Sequence, residues 1–258
     1  MKILVTAGGT TEKIDEVRAI TNHSTGRLGQ AIAQAFLSNG HHVTYLTTPL
    51  AVRPVQTGTD GTLEVVEIET TAQLQQQIEH LLSAQTFEAI IHSMAVSDFS
   101  SETSLPEEAL VQALTRALLK QDSFTEGRIS EIIKETLDHL GQQQSTDKKI
   151  SSNTERLLLF LKKNPKIIAR IRQLQPSAIL VGFKLLVGVS DDELIQVASN
   201  TLQQNGCDFV LANDLEGIHG DQHRGLLISQ SGAIEEANTK QDIAQLILTQ
   251  VQAKAAAR

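Results

Sequence analysis

Four short stretches carry chemistry by residue type and spacing. The richest is Thr21-Asn22-His23-Ser24-Thr25-Gly26-Arg27-Leu28-Gly29. It gathers an amide, hydroxyls, a guanidinium and two glycines where a helix begins. A helix N-terminus offers unpaired N–H groups and a positive dipole end to phosphate. An ordinary N-cap by Ser24 or Thr25 would use the same residues, so both readings stand. Upstream, Ala7-Gly8-Gly9-Thr10 ends an apolar run with glycines that permit a tight turn and close approach of backbone to a ligand. Met94-Ala95-Val96-Ser97-Asp98-Phe99 ends another such run. There Asp98 could accept hydrogen bonds from a base or ribose, meet Mg2+ through water, or serve only as a helix N-cap. Last, Lys148-Lys149-Ile150-Ser151-Ser152 is a polar stretch whose lysine could follow charge developing on a phosphate.

Several chemistries find little support in the sequence. The dinucleotide fingerprint G-x-G-x-x-G is missing, as is an acid after the second strand, where Leu46-Thr47-Thr48-Pro49 stands. The single tyrosine, Tyr45, has Pro49 four residues on, so no Tyr/Lys proton-transfer pair exists at helical spacing. No P-loop, G-x-S-x-G elbow or H-E-x-x-H occurs. His219 and His223 flank Gly220 in an expected loop, and no metal site is assigned to them. Cys207 reads as a packed thiol.

The elements that must position these residues follow from the wider pattern. A chain of 258 residues with 40% hydrophobic and 20% charged residues is globular and long enough for one α/β domain. One cysteine excludes an internal disulfide and fits a reducing, cytoplasmic compartment. No Trp, 3% aromatics and a net charge of −8 argue against nucleic acid as partner. No apolar stretch is long enough for a signal segment or a membrane span. The charge is uneven. From Lys148 to Arg172 the window is +7 and the rest of the chain −15, which reads either as a solvated basic face or as an anion site.

Strand-like runs at 3–7, 43–46, 63–68, 87–92, 157–161, 179–186, 209–211 and 226–229 alternate with helical patterns at 27–39, 72–83, 165–174, 191–204 and 241–253. Pro165 suits a first helical turn, and Gly40 stops the first helix. The rhythm predicts a Rossmann-like, doubly wound, mainly parallel sheet with helices on both faces. Two helical pieces between Pro106 and Leu140 interrupt it. They read as a helical insertion, at about 100–147, in a single domain spanning 1–258, and as a possible dimer arm or lid.

In order along the chain, these residues resemble the phosphopantothenoylcysteine synthetases (4′-phosphopantothenate–cysteine ligases) of coenzyme A biosynthesis. Val5 to Thr10 followed by Asp15 to Gly29 is similar to that family's glycine turn and V-R-x-I-x-N-x-S-S-G-K/R-x-G pattern. The similarity continues through Ala95 to Asp98, Lys149 to Ser152, Lys163 to Ile168, Val181 to Lys184 and Ala212 to Asp214. It leaves out roughly residues 100–147. Because the sequence begins at the ligase pattern, it resembles the stand-alone form rather than the fusion to a flavin-dependent decarboxylase.

The resemblance implies a two-step amide synthesis in a homodimer whose sites borrow residues from the partner. The substrate carboxylate attacks the nucleotide α-phosphorus, and the cysteine amine then displaces the nucleotide. Asn22 and Lys149 are the implied catalytic residues, Asn22 at the acyl group and Lys149 at the triphosphate. Gly8, Gly9, His92, Ser93, Met94, Asp98, Pro165, Lys166, Ile167, Ile168, Phe183 and Lys184 are the implied nucleotide contacts. Ser24, Gly26, Arg27, Gly29 and Asn213, with Asn22, are implied for 4′-phosphopantothenate. Mg2+ is implied by the triphosphate, and CTP is expected as co-substrate, with ATP the alternative. Thr201 and Asn205 stand where fused bacterial members carry two lysines, and Lys184 matches the ATP-using eukaryotic members. Competing readings are a short-chain-reductase-like NAD(P)H enzyme and a non-catalytic nucleotide-binding module.

Overall fold

The computed structural model describes residues 1–56, 60–121, 123–142 and 154–258. Lys148 to Ser152, with the expected triphosphate lysine Lys149, lie outside the described residues. Two compact units make up the chain. The first takes Met1–Thr10, Asn22–Val96 and Lys166–Arg258; the second takes Thr11–Thr21 and Ser97–Pro165.

The first unit is the doubly wound sheet. Six parallel strands form its centre: β1 (Lys2–Ala7), β4 (His42–Thr47), β5 (Thr62–Glu67), β6 (Ala89–His92), β9 (Ile179–Leu186) and β10 (Phe209–Asp214). An antiparallel edge of β11 (Ile218–His219), β12 (Gln222–Ser229) and β13 (Ile234–Thr239) completes it. The strand order is β11-β12-β10-β9-β6-β1-β4-β5, with β13 paired to β12. His219 and His223 therefore sit in a β-hairpin and not in a loop.

Strand alternation divides the core between the two faces. Ile3, Val5, Ile91, Val181 and Leu211 pack on α1 (Arg27–Ser38) and α7 (Lys240–Ala256). Leu4, Ile90, Leu180 and Val210 pack on α2 (Thr71–Ala84), α5 (Ile167–Leu174) and α6 (Asp191–Asn205). The chain moves from β1 out through β4 to β5, then returns to β6 on the other side of β1. That reversal makes the carboxyl ends of β1 and β6 a topological switch point, the place where open α/β sheets bind ligands.

The second unit pairs β7 (Phe99–Pro106) with β8 (Leu157–Lys163), antiparallel. α3 (Glu107–Leu118) and α4 (Glu126–Gly141) pack against them, beside the hairpin β2 (Thr11–Lys13)–β3 (Ala19–Thr21). The strand expected at 157–161 thus lies outside the main sheet. The insertion read at about 100–147 falls within this unit. Pro165 precedes α5's N-cap, Lys166, and is not its first helical residue.

Candidate functional site

The carboxyl edge of the first unit is built from close approaches of backbone to backbone. Beyond β1 and β6, Gly9 and Ala95 form an isolated parallel bridge, and the Ala95 N–H donates to Gly8 O at 2.8 Å. Ala95 O accepts from the Thr10 N–H at 3.1 Å and from Asn22 Nδ2 at 3.1 Å. The half-buried Asn22 amide is thereby pinned at the switch point. Gly9 makes this possible, since a Cβ there would lie 2.5 Å from Asn22 O. Gly8 takes φ +92, a conformation that favours glycine, and a Cβ on it would sit 2.5 Å from Thr48 Oγ1.

The start of α1 corrects one expectation. Its N-cap is Gly26 at φ +73, with no side-chain capping bond, so neither Ser24 nor Thr25 caps the helix. No acid lies in its first turn; Arg27 is exposed there and Ser24 half-buried. Gly29 is buried, its missing Cβ facing Ala7 Cβ at 2.5 Å and Ser93 Oγ at 2.7 Å. Ser93 Oγ donates to Thr6 O at 2.7 Å. This glycine lets the helix approach the strand closely, a packing role familiar in dinucleotide folds.

α5 begins in the same way, with no side-chain cap at Lys166 and no first-turn acid. By contrast, Thr70, Thr125, Ser190 and Thr239 cap α2, α4, α6 and α7 through their side chains. α3 lacks a side-chain cap but carries Glu107 and Glu108 in its first turn. Among the described helices, only α1 and α5 leave their N-terminal donors without a cap or a first-turn acid.

The remaining expected contacts divide between surface and core. His92 is buried at 7% exposure, its Nδ1 2.9 Å from Thr6 Oγ1. Burial pulls its pKa down to about 4, so the ring is neutral. Met94 and Ile167 are core side chains, and the half-buried Ile168 packs on the same core. Ile168 Cδ1 lies 3.0 Å from where a Cβ on Gly182 would stand. Phe183 and Lys184 are half-buried on β9, in register with Leu211 and Ala212. Asn213 is buried at 6% exposure near the end of β10. In the second unit Asp98 is exposed and precedes β7, so the N-cap alternative falls; its carbonyl accepts from the Asn164 N–H at 2.8 Å. Pro165 is exposed. Thr201 and Asn205 bond carbonyls of α6 itself, those of Val197 and Thr201.

Among the described residues of the basic window, four have acidic partners. Arg156 pairs with Glu107, Lys162 with Glu102 and Arg170 with Glu79. Arg172 pairs with buried Asp208 at 2.8 Å at the amino end of β10, away from the glycine turns.

Two features escaped the sequence reading. Asp214 accepts from the N–H groups of Val189, Gly188 and Glu216, which hold its carboxyl below the usual range and tie the loop after β9 to β10. The strand-end Ala212-Asn213-Asp214 was its only signal. Tyr45 is fully buried and its hydroxyl donates to Val52 O at 2.9 Å. Burial pushes this phenol above its ordinary range.

The family model for the DNA/pantothenate metabolism flavoprotein C-terminal domain matches residues 1–113 and 138–255. The chain belongs to this family. Only the α3–α4 segment interrupts the match. The coenzyme A biosynthesis bifunctional protein CoaBC of Thermococcus kodakarensis is 29% identical over 252 residues, 97% of this chain and 51% of that protein. The Escherichia coli K12 protein of the same name is 25% identical over 257 residues, again 97% of this chain and 51% of that protein. The chain thus spans about half the length of the curated relatives it matches. A crystal structure of the DNA/pantothenate metabolism flavoprotein from Streptococcus pneumoniae is 38% identical, with a TM-score of 0.80, covering 98% of this chain and 99% of that one. A Cab2 variant in complex with phosphopantothenate-cysteine shares the fold at TM-score 0.67 and 18% identity, covering 99% and 86%. No helix among the described residues is long and apolar enough to cross a membrane.

Proposed function

We propose that this DNA/pantothenate metabolism flavoprotein domain joins 4′-phosphopantothenate to L-cysteine through an acyl-nucleotide, releasing pyrophosphate and nucleoside monophosphate. One observation carries the reading. The first unit has two helices that leave their N-terminal donors open, and its switch point holds a pinned asparagine amide. A reaction between a phosphorylated acid and a nucleoside triphosphate requires two anion sites and an acyl contact between them. Membership in the family, and relatives named for coenzyme A biosynthesis, support the same assignment.

In this reading the start of α1, with Ser24, Gly26 and Arg27, holds the 4′-phosphate, and the start of α5 with Lys166 meets nucleotide phosphate. A carboxylate is a poor electrophile, so it first attacks the α-phosphorus and pyrophosphate leaves. The cysteine nitrogen then adds to the acyl carbon, loses a proton, and nucleoside monophosphate departs. Asn22, its amide orientation fixed by Ala95 O, contacts the acyl group through the second step. Lys149 follows the charge that develops during activation.

Mg2+ gets no protein-built cage in this account. Among the described residues no group of three His, Cys, Asp or Glu could hold a metal ion. The cation would be carried by the triphosphate and water, and no step above is routed through it. CTP is the proposed co-substrate and ATP the alternative, in a cytoplasmic homodimer.

The test is pyrophosphate release with Mg2+, 4′-phosphopantothenate, cysteine and each nucleoside triphosphate in turn. Release with CTP and formation of the amide support the reading. No release with any nucleotide overturns it, and hydride transfer from NAD(P)H would replace it.

A further inference from the structure

Tyr45 lies in the sheet, yet its one polar atom reaches the edge that carries the proposed phosphate site. Its hydroxyl donates to Val52 O at 2.9 Å, and the Val52 N–H donates to Thr25 O at 3.0 Å, one residue before the N-cap of α1. The segment between is a tight turn, closed by the Ala51 N–H to Thr48 O at 3.1 Å. Ala51, 7% exposed, lies over both left-handed glycines. A Cβ on Gly26 would come within 2.8 Å of its methyl, and one on Gly8 within 3.0 Å. The buried hydroxyl is therefore the side-chain bond, beside these backbone ones, that ties the turn walling Gly8 to the sheet next to the start of α1.

We propose that Tyr45 is a positioning residue for the phosphate-binding start of α1, acting through the Thr48–Val52 turn. This rests on the reading that the start of α1 holds the 4′-phosphate of the carboxylate substrate. The physical argument is selectivity. Losing the hydroxyl frees Val52 O, loosens the turn, and lets Thr25 and Gly26 sample other orientations. Donors that must converge on one phosphate then lose alignment, whereas the start of α5 shares no bond with this turn and the Asn22–Ala95 contact meets it only through Gly8. A group that only stabilised the fold would affect every substrate alike.

The experiment compares Tyr45→Phe with Ala51→Gly, which removes the methyl between the two glycines, and with Ile247→Val, a small core change on α7 that touches no bond of the turn. Steady-state constants are measured for each substrate, and 4′-phosphopantothenate binding is measured by calorimetry without nucleotide or cysteine. For Tyr45→Phe we expect KM and Kd for 4′-phosphopantothenate to rise about tenfold, equivalent to about 1.4 kcal/mol. KM for cysteine, and kcat, should stay within about twofold, and the rise in KM for nucleotide, felt only through Gly8, should be well below that for 4′-phosphopantothenate. Ala51→Gly should follow the same pattern, and Ile247→Val should show none of it. Unchanged Kd in both turn variants, or equal losses for all three substrates, overturns the proposal. If wild-type protein releases no pyrophosphate, the proposed function fails. Calorimetry still decides this inference then: weaker binding by Tyr45→Phe supports it, and equal binding or no binding by wild type rejects it.

Discussion

Replacing Gly29 by alanine sets two effects of known size against each other. In a helix, alanine is favoured over glycine by about 1 kcal/mol. At Gly29 the new methyl would stand 2.5 Å from Ala7 Cβ and 2.7 Å from Ser93 Oγ. Carbon atoms in good contact sit about 3.5–4.0 Å apart, so α1 must retreat from β1 by roughly 1 Å. Ala7 is fully buried in the central strand, and Ser93 is held by its bond to Thr6 O, so neither can yield cheaply. Overpacking of this kind costs about 1–3 kcal/mol. Adding backbone shifts at a site already closed by Gly8 and Gly26 puts Gly29→Ala at the upper end, for a net loss of about 1–2 kcal/mol. Gly127, in the first turn of α4, is the counterpart: it is exposed and a Cβ there meets nothing within 4 Å. Gly127→Ala should therefore stabilise, by about 0.5 kcal/mol. Urea unfolding followed by circular dichroism, with unchanged m-values, reads both. Stability for Gly29→Ala equal to or above wild type would refute the close approach of α1 to β1. It would also remove the packing that aims the open helix start.

Other perturbations separate chemistry from architecture. Asn22→Asp should still release pyrophosphate yet yield little amide, and single-turnover product analysis checks the split. Lys149→Gln should slow formation of the acyl-nucleotide, and wild-type activation in a rapid-quench assay would contradict its role. His92 is held neutral with its pKa near 4, against 6.5 for an ordinary histidine. The unfolded chain therefore takes up a proton that the folded chain refuses. Stability is complete above pH 6.5 and falls as pH drops toward 4, by about 3 kcal/mol in all. Unfolding free energies of His92→Gln across that range should show a correspondingly shallower slope. Asp208→Ala should destabilise by about 3 kcal/mol, because Arg172 and Lys254 lose a buried partner. Its KM values should hold, since the cluster lies at the opposite end of the sheet from the glycine turns.

What could be read in advance was the apolar alternation. The central strands bury nearly every apolar side chain, so runs such as Ile3 to Ala7 and Ile179 to Val181 declared themselves. β7 did not. Ser100-Ser101-Glu102-Thr103-Ser104 has no apolar period, and its strand conformation comes from pairing with β8 across a long stretch of chain. β13 was hidden for a related reason, as Glu235 and Glu236 face solvent and only Ala237 is buried in it. The three-residue strands of the β2–β3 hairpin are too short to show a period at all. Which cations of the basic window are paired could not be read in advance, because their acids are remote in sequence. Glu79 and Asp208, which neutralise Arg170 and Arg172, could not be assigned to it before folding.

The helix starts show most clearly where local rules stop. A stretch holding Ser24 and Thr25 before an amphipathic run reads as a hydroxyl-capped helix, and such a cap is worth about 1 kcal/mol. Gly26 takes the cap position instead, in the left-handed region, because Ala51 and Gly8 leave no room for a side chain there. The helix thus forgoes a stabilisation that its own sequence could supply. α5 forgoes it as well, with Lys166 at its cap. Four other helices use a Ser or Thr cap, so the chain does not lack capping residues. Both uncapped helices in the first unit start at the edge where the sheet reverses. In the proposed reading, the uncapped N–H groups there would be stabilised by the bound anion, so that forgone capping energy would become binding energy for a phosphate. Composition placed polar residues near this edge, but only the fold distinguishes a hydroxyl that closes a helix from one that leaves it open to a ligand.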